Sequence, residues 1–202
     1  MMSASMRNVS FSYDKNPVLS DVTWELPDSG VVCLWGASGC GKTTVLRLVA
    51  GLERPQMGTV QGIQRVSMVF QEDRLLPWHT AKENVMLVTD DEKKATHLLS
   101  MLGLSEEEMQ TVPTHLSGGQ KRRVALARAL AAEGDILLLD EPFNGLDEGT
   151  WQDVVPLILE VAQSRPVVLV THIREQVLAL HATVIHLTDG PQSGEWRAAE
   201  FL

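Results

Sequence analysis

The chain has 202 residues, a length typical of one large domain, and its 44% of hydrophobic residues suffices for a buried core. With 26 acidic residues against 17 basic ones, the formal net charge is −9, which repels phosphate backbones and excludes general nucleic-acid binding. No apolar stretch approaches the ~20 residues that cross a bilayer, so any work at a membrane requires a partner subunit.

The first elements along the chain form a predicted hairpin. Residues 6–13 and 18–26 alternate polar and apolar side chains and are separated by a turn-forming cluster at residues 14–17. Alternation on both sides of such a turn predicts two antiparallel strands. We expect this hairpin to be joined to the main sheet.

Short continuous apolar runs follow, each succeeded by a helical pattern. Such runs are typical of parallel strands that are buried on both faces, and they predict an α/β fold. The runs are residues 31–35, 66–70, 136–139, 167–170 and 184–187, and we expect the last of them to be the last strand. Cys33 lies in the first run and Cys40 in the glycine-rich loop behind it, a placement that suits reduced cytoplasmic thiols.

The middle of the chain, from residue 80 to residue 112, has no strand pattern. It is mostly charged and helical, and acidic clusters at residues 90–92 and 106–108 are typical of helix starts. We predict a helical subdomain at about residues 72–133, inserted into the α/β core of a single domain spanning residues 1–202.

The strongest local signal is a phosphate-binding loop (P-loop). It follows the predicted strand at residues 31–35 and precedes a helix, the context that the pattern GxxxxGK[ST] requires. Glycines let backbone N–H groups converge on phosphate oxygens, and the helix start adds a positive dipole end. The predicted nucleotide-binding residues here are Gly36, Ala37, Ser38, Gly39, Cys40, Gly41, Lys42, Thr43 and Thr44. The motif alone does not separate kinases, GTPases and transport ATPases.

A second predicted anion site begins at Ser117. This serine is a good N-cap for the alanine- and leucine-rich helix that follows, and two glycines lie at its start. The segment Leu116-Ser117-Gly118-Gly119-Gln120 resembles the signature motif of the ABC ATPase family, and the other motifs follow in the order of that family from Tyr13 to His172.

The resemblance implies a P-loop NTPase of the ABC ATPase type, with a mainly parallel sheet, an N-terminal antiparallel β region and a small helical subdomain. In that family two ATPase subunits pack head to tail, and the signature of one closes over the nucleotide in the P-loop of the other. Ser117, Gly118, Gly119 and Gln120 are therefore expected to contact the nucleotide of a second subunit. A homodimer is the expected arrangement, and a paralogous partner stays open.

An apolar run ends in Asp140 and Glu141, where ligands of open α/β sheets bind. By resemblance, Asp140 holds Mg²⁺ together with Thr43, and Glu141 activates the attacking water. The same resemblance assigns Gln71 to Mg²⁺ and water, and His172 to the γ-phosphate.

Two further residues are assigned by the resemblance alone. Asp147 matches an aspartate that links the two sites of the dimer. Tyr13 falls where the family places an aromatic ring that stacks on adenine. For Tyr13, cross-strand packing is the alternative.

The expected cofactors are ATP and Mg²⁺, and the expected partners are membrane permease subunits and a substrate-binding protein. The subunit would lie on the cytoplasmic face of the membrane. Residues 73–78 resemble a segment of nitrate, sulfonate and taurine importer ATPases, which favours import, although Leu75, Leu76 and Trp78 also suit local core packing. The alternative function is a lipoprotein-releasing or cell-division ATPase that acts as a mechanical clamp.

Overall fold

A computed structural model describes residues 4–188 and 190–200. Their strands are β1 Ser5–Tyr13, β2 Asn16–Glu25, β3 Gly30–Trp35, β4 Met57–Gln61, β5 Val66–Val69, β6 Ile136–Asp140, β7 Pro166–Val170, β8 Thr183–His186, β9 Gln192–Trp196 and β10 Ala199–Glu200. Their α-helices are α1 Lys42–Val49, α2 Ala81–Met86, α3 Glu92–Met101, α4 Glu106–Met109, α5 Gly118–Ala131, α6 Glu148–Ala162 and α7 Arg174–Ala179.

The larger sheet has the strand order β10-β8-β3-β7-β6-β5. Strands β8, β3, β7, β6 and β5 run parallel, and β10 pairs with β8 in the antiparallel direction. The five apolar runs in the sequence are these five parallel strands, so the prediction of a mainly parallel α/β core is confirmed.

Side chains of the larger sheet alternate between two hydrophobic cores. Leu137 and Leu139 of β6 face the core that contains the helices α5 and α6. Ile136 and Leu138 face the opposite core, which contains α1 and the first hairpin. Because both faces are covered, the strand is apolar at every position before Asp140.

The first hairpin is antiparallel as predicted, with Ser5 opposite Glu25 and Tyr13 opposite Asn16. The prediction that it joins the main sheet is wrong, because it belongs to a separate sheet with the order β4-β1-β2-β9. The alternating pattern gives each of its strands one buried face, and Val9 and Trp24 pack against the larger sheet instead of extending it. The edge of that sheet at β8 is covered by β10.

The prediction that residues 184–187 form the last strand is also wrong. Strand β9 is polar and contains Gly194, so its sequence has little strand character. It is held by parallel pairing with β2, and the rings of Trp196 and Trp24 lie 6.0 Å apart. These contacts join segments that are far apart in sequence.

The middle of the chain is helical, as predicted. Asp91 caps α3 by accepting a hydrogen bond from the Lys94 N–H, and Ser105 caps α4 in a reciprocal pair with Glu108. Both helix starts therefore lie beside the acidic clusters that predicted them. Among the described residues, no helix combines the length and the apolar character needed to cross a bilayer.

We expect Leu138→Ala to lower the free energy of unfolding by roughly 2–5 kcal/mol, because it opens a cavity in a close-packed core. Leu138 is fully buried, whereas Leu178 on α7 is 49% exposed. Leu178→Ala is the control and should change stability by less than about 0.5 kcal/mol. Urea unfolding of both variants measures the difference, and equal losses would contradict the assignment of β6 to the core.

Candidate functional site

The P-loop connects the end of β3 to the start of α1. Gly41 precedes the helix with a φ of 103°, and a Cβ at this position would lie 2.7 Å from Val18 of β2. Both observations require glycine. No side chain caps the start of α1, so the N–H groups of its first turn are not engaged by a capping side chain and suit an anion.

Lys42 folds back over this loop. Its Nζ donates hydrogen bonds to the carbonyl oxygens of Gly36 at 2.8 Å and Ala37 at 2.7 Å. The ammonium group is thereby fixed beside the loop rather than extended into solvent. A cation beside unengaged N–H groups is the chemistry that binds a phosphate chain.

A small cavity of about 110 Å³ brings together the three residues that were predicted to hold a metal ion, Thr43, Gln71 and Asp140. A larger cleft of about 490 Å³ lies near Trp24 and Trp196, but none of the motif residues line it. The chemistry of the motifs, rather than cavity size, identifies the site.

Asp140 is only 3% exposed. Burial raises the pKa of its carboxyl group, a hydrogen bond from Thr43 acts in the opposite direction, and the nearby Glu141 charge raises the pKa further. A buried carboxylate of this kind favours a cation beside it.

This donor set fits Mg²⁺, which binds through one or two carboxylates, a hydroxyl group and substrate phosphates rather than through a complete protein cage. The described residues contain no cluster of three or more histidine, cysteine, aspartate or glutamate side chains that could hold a metal.

Glu141 follows Asp140 with a backbone φ of 47°, a left-handed conformation that is uncommon for a residue with a side chain. Its N–H donates to the Val170 carbonyl at 2.9 Å. Its carboxylate accepts a hydrogen bond from Asn144 at 2.5 Å, and its Oε1 lies 3.7 Å from Nδ1 of His172. The structure thus brings Glu141 and His172 together, on the ends of the neighbouring strands β6 and β7.

The second anion site lies at the start of α5. The Ser117 hydroxyl caps the helix by accepting a hydrogen bond from the Gln120 N–H, and the Gln120 side-chain oxygen accepts one from the Ser117 N–H. The predicted N-cap is therefore confirmed. A Cβ on Gly119 would lie 3.2 Å from the Gly145 carbonyl. The cavity around Asp140 is not lined by any residue of this second site.

Comparison with known proteins identifies the family. The sequence profile of the ABC transporter family matches residues 19–144. The chain belongs to the ABC transporter family. It is 43% identical to an aliphatic sulfonates import ATP-binding protein of Rhodococcus jostii, covering 90% of this chain and 77% of that protein. A protein of the same description from Paraburkholderia xenovorans is 42% identical, over 94% and 78% of the two chains.

Two solved structures are similar over 98% of both chains. One is a dimeric ATP-binding cassette in a post-hydrolysis state with ADP and Pi, with a TM-score of 0.84 and 28% identity. The other is a dimeric bacterial ABC transporter cassette, with a TM-score of 0.85 and 29% identity. The predicted fold class and the prediction of an ABC transporter ATPase are confirmed.

In this ABC protein, Asp147 caps α6, where its carboxylate accepts bonds from the N–H and the hydroxyl of Thr150 at 2.9 and 2.7 Å. Tyr13 ends β1 and is 39% exposed, with its ring edge-on to Phe11 at 4.9 Å between centroids. Their predicted roles at the dimer and at adenine remain predictions.

Two residues that contact Glu141 in the structure are not among the predicted site residues. Asn144 bonds its carboxylate, and Arg122 donates to its carbonyl oxygen at 2.7 Å. Arg122 belongs to a basic run that reads as a solvated helix face, yet it is 2% exposed. The apolar residues that surround this run, on a helix with a broad buried face, are the only sequence signal that could have indicated its burial.

We expect Ser117→Ala to lower the free energy of unfolding by about 1 kcal/mol, because the N–H of Gln120 loses its capping acceptor. Ser117→Asp retains a capping oxygen and is the matched control, with a stability close to that of the parent. Thermal and urea unfolding check both variants, and an undiminished stability of Ser117→Ala would contradict the cap.

Proposed function

We propose that this chain is the ATP-binding and ATP-hydrolysing subunit of an ABC importer, and that two such subunits enclose ATP between the P-loop of one and the signature segment of the other. The signature segment is Ser117, Gly118, Gly119 and Gln120. The observation that carries the proposal is Gly118, an exposed helical glycine. Apart from its chain neighbours and the backbone of its own helix, no atom of the described residues lies within 4 Å of a Cβ built on it.

Gly118 is the first residue of α5, and neither a positive φ nor internal packing requires glycine there. At such a compatible position alanine is more stable than glycine by about 0.4–1 kcal/mol, because it narrows the freedom of the unfolded chain. Close approach by a ligand or a second subunit is the physical reason that remains. The P-loop has internal reasons for its glycines, as Gly41 illustrates. Gly118 therefore differs from Gly41, because nothing within its own subunit requires it to be glycine.

Within one subunit, the P-loop N–H groups and Lys42 bind the phosphates, and the exposed ring of Tyr13 stacks on the adenine. Thr43, Gln71 and Asp140 hold Mg²⁺, which when bound neutralises charge on the β- and γ-phosphates. Ala37, Ser38, Gly39, Cys40 and Thr44 complete the phosphate cradle with Gly36 and Gly41.

Glu141 accepts a proton from the attacking water or orients it, since it directly follows Asp140, whose carboxylate accepts a hydrogen bond from Thr43 of the P-loop. His172, 3.7 Å from Glu141, donates a hydrogen bond to the γ-phosphate. Gln71 helps to orient the same water. Asp147 connects this site to its counterpart in the second subunit.

Transport requires a separate membrane permease. Trp78 is 71% exposed, within the segment of residues 73–78 that resembles importer ATPases, and such an aromatic anchor suits a helix of the permease.

The subunit acts at the cytoplasmic face of the membrane and binds no nucleic acid. It is a single domain with a helical part at about residues 72–133. A substrate-binding protein supplies the cargo. The similar relatives are named for the import of aliphatic sulfonates. Their names favour import over the clamp-type function, with an organic sulfonate as the transported substrate.

We expect Glu141→Gln to bind ATP like the parent while the turnover number falls by roughly 10²–10⁴-fold, the typical contribution of a general base. The unhydrolysed nucleotide should then hold a dimer that light scattering detects. Lys42→Ala is the control that loses nucleotide binding instead. Turnover by Glu141→Gln at the parent rate would refute the role of this carboxylate.

We expect Gly118→Ala to have opposite effects on folding and on dimer formation. The added methyl group should stabilise the monomer by roughly 0.4–1 kcal/mol, because it restricts the unfolded chain, and weaken the ATP-dependent dimer by about tenfold or more, through overpacking at the interface. Ser100→Ala on α3, also an exposed helical position, is the control for stability alone. A Gly118→Ala variant that dimerises with ATP like the parent would argue against the shared site.

A further inference from the structure

One buried arginine joins three segments that are distant in sequence. Arg122 projects from α5 with its side chain 3% exposed. Its Nη1 donates to the Phe70 carbonyl at 2.7 Å and lies 3.1 Å from the Asp73 carboxylate. Its Nη2 donates to the Glu141 carbonyl at 2.7 Å. The planar guanidinium thus fixes all three acceptors in one geometry.

Two of these acceptors are backbone carbonyl oxygens at or next to residues assigned to hydrolysis. Phe70 directly precedes Gln71, so its carbonyl oxygen belongs to the peptide unit that leads into Gln71. The Glu141 carbonyl belongs to the residue with a φ of 47°, a conformation that the surroundings must hold in place. The Val170 carbonyl holds the N–H of Glu141, and Arg122 holds its carbonyl oxygen.

A second arginine of the same helix provides an internal comparison. Arg128 donates to the carbonyl oxygens of Asp73 and Arg74, both at 3.0 Å. It therefore binds the segment after Gln71 to α5, as Arg122 does. Among the described contacts of Arg128, none reaches Phe70 or Glu141, so of these two arginines only Arg122 contacts both hydrolytic segments, which the pairing of β5 with β6 brings side by side.

We propose that Arg122 is a positioning residue for hydrolysis, which keeps Gln71 and Glu141 at a fixed separation by binding the carbonyl oxygen of Phe70, directly before Gln71, and that of Glu141. Asp73 neutralises the buried charge and orients the guanidinium. The inference rests on the proposed function, because it assumes that Gln71 and Glu141 act on the same water. If so, the turnover number depends also on Arg122 of α5, the helix that begins in the signature segment.

The test compares Arg122→Gln, Arg122→Lys and Arg128→Gln in the full chain. For Arg122→Gln we expect a turnover number reduced by up to about 10²-fold, the effect of a misplacement near 1 Å, with the KM for ATP within about threefold of the parent. Lysine keeps the charge but lacks the planar fork, so Arg122→Lys should recover part of the rate. Arg128→Gln should retain the parent turnover number.

Hydrogen exchange gives a readout that is independent of turnover. In Arg122→Gln, the amide of Glu141 should exchange at least tenfold faster, since the following peptide, which carries the Glu141 carbonyl oxygen, is no longer held by Arg122, whereas Arg128→Gln should leave this amide protected. If Arg122→Gln does not fold, Arg122→Lys and Asp73→Asn carry the same comparison, with smaller losses of turnover and protection.

Equal losses of turnover in Arg122→Gln and Arg128→Gln would overturn the proposal, because a general loosening of the segment would then explain both. Parent-like turnover and exchange in Arg122→Gln would overturn it as well. Glu141→Gln separates this failure from that of the proposed function. An inactive Glu141→Gln beside a fully active Arg122→Gln refutes only the role of Arg122, whereas an active Glu141→Gln refutes the hydrolytic site itself.

Discussion

The parallel pairing of β3, β7 and β6 is the constraint on which the site depends. In a parallel sheet the carboxyl ends of neighbouring strands lie at the same edge, so the residues that follow them converge. Here the P-loop follows β3, His172 follows β7, and Asp140 and Glu141 end β6. Residues separated by more than a hundred positions in sequence thereby meet at one edge of the sheet.

The apolar strands that create this convergence also set the electrostatics of the site. Asp140 lies at the end of a strand that is buried on both faces, so its carboxylate is largely removed from water. Burial raises its pKa, and the adjacent Glu141 charge adds to the effect. The hydrogen bond from the Thr43 hydroxyl offsets this rise in pKa in part. A cation would stabilise the buried carboxylate further, which is why the cavity beside these residues suits a divalent cation.

The signature segment is organised by different forces. At its helix start Ser117 and Gln120 are joined by reciprocal hydrogen bonds, and Gly119 lies beside Gly145 rather than in the cavity around Asp140. The exposed Gly118 serves no packing need within the subunit. A chain with a complete phosphate cradle and a separate exposed helix start is suited to pairing with a second copy, which agrees with the dimeric form of the similar solved cassettes.

The sequence by itself determined the elements that depend on local rules. The P-loop, the cap at Ser117, the acidic helix starts and the five buried strands follow from glycine geometry, capping chemistry, the helix dipole and apolar runs. The motif order also sufficed for the family. For the loop, the cap, the helix starts and the strands, the residues that cause the structure are neighbours in the sequence of those that adopt it.

Only the tertiary structure decided the features that depend on distant partners. The separate sheet of the first hairpin, strand β9 and the burial of Arg122 all depend on contacts between remote segments. Arg122 and Phe70 are 52 positions apart, and Arg122 and Glu141 are 19 apart. A basic residue in a helix has the same sequence pattern whether it faces water or three backbone segments, because the acceptors that stabilise its buried charge are supplied by the fold.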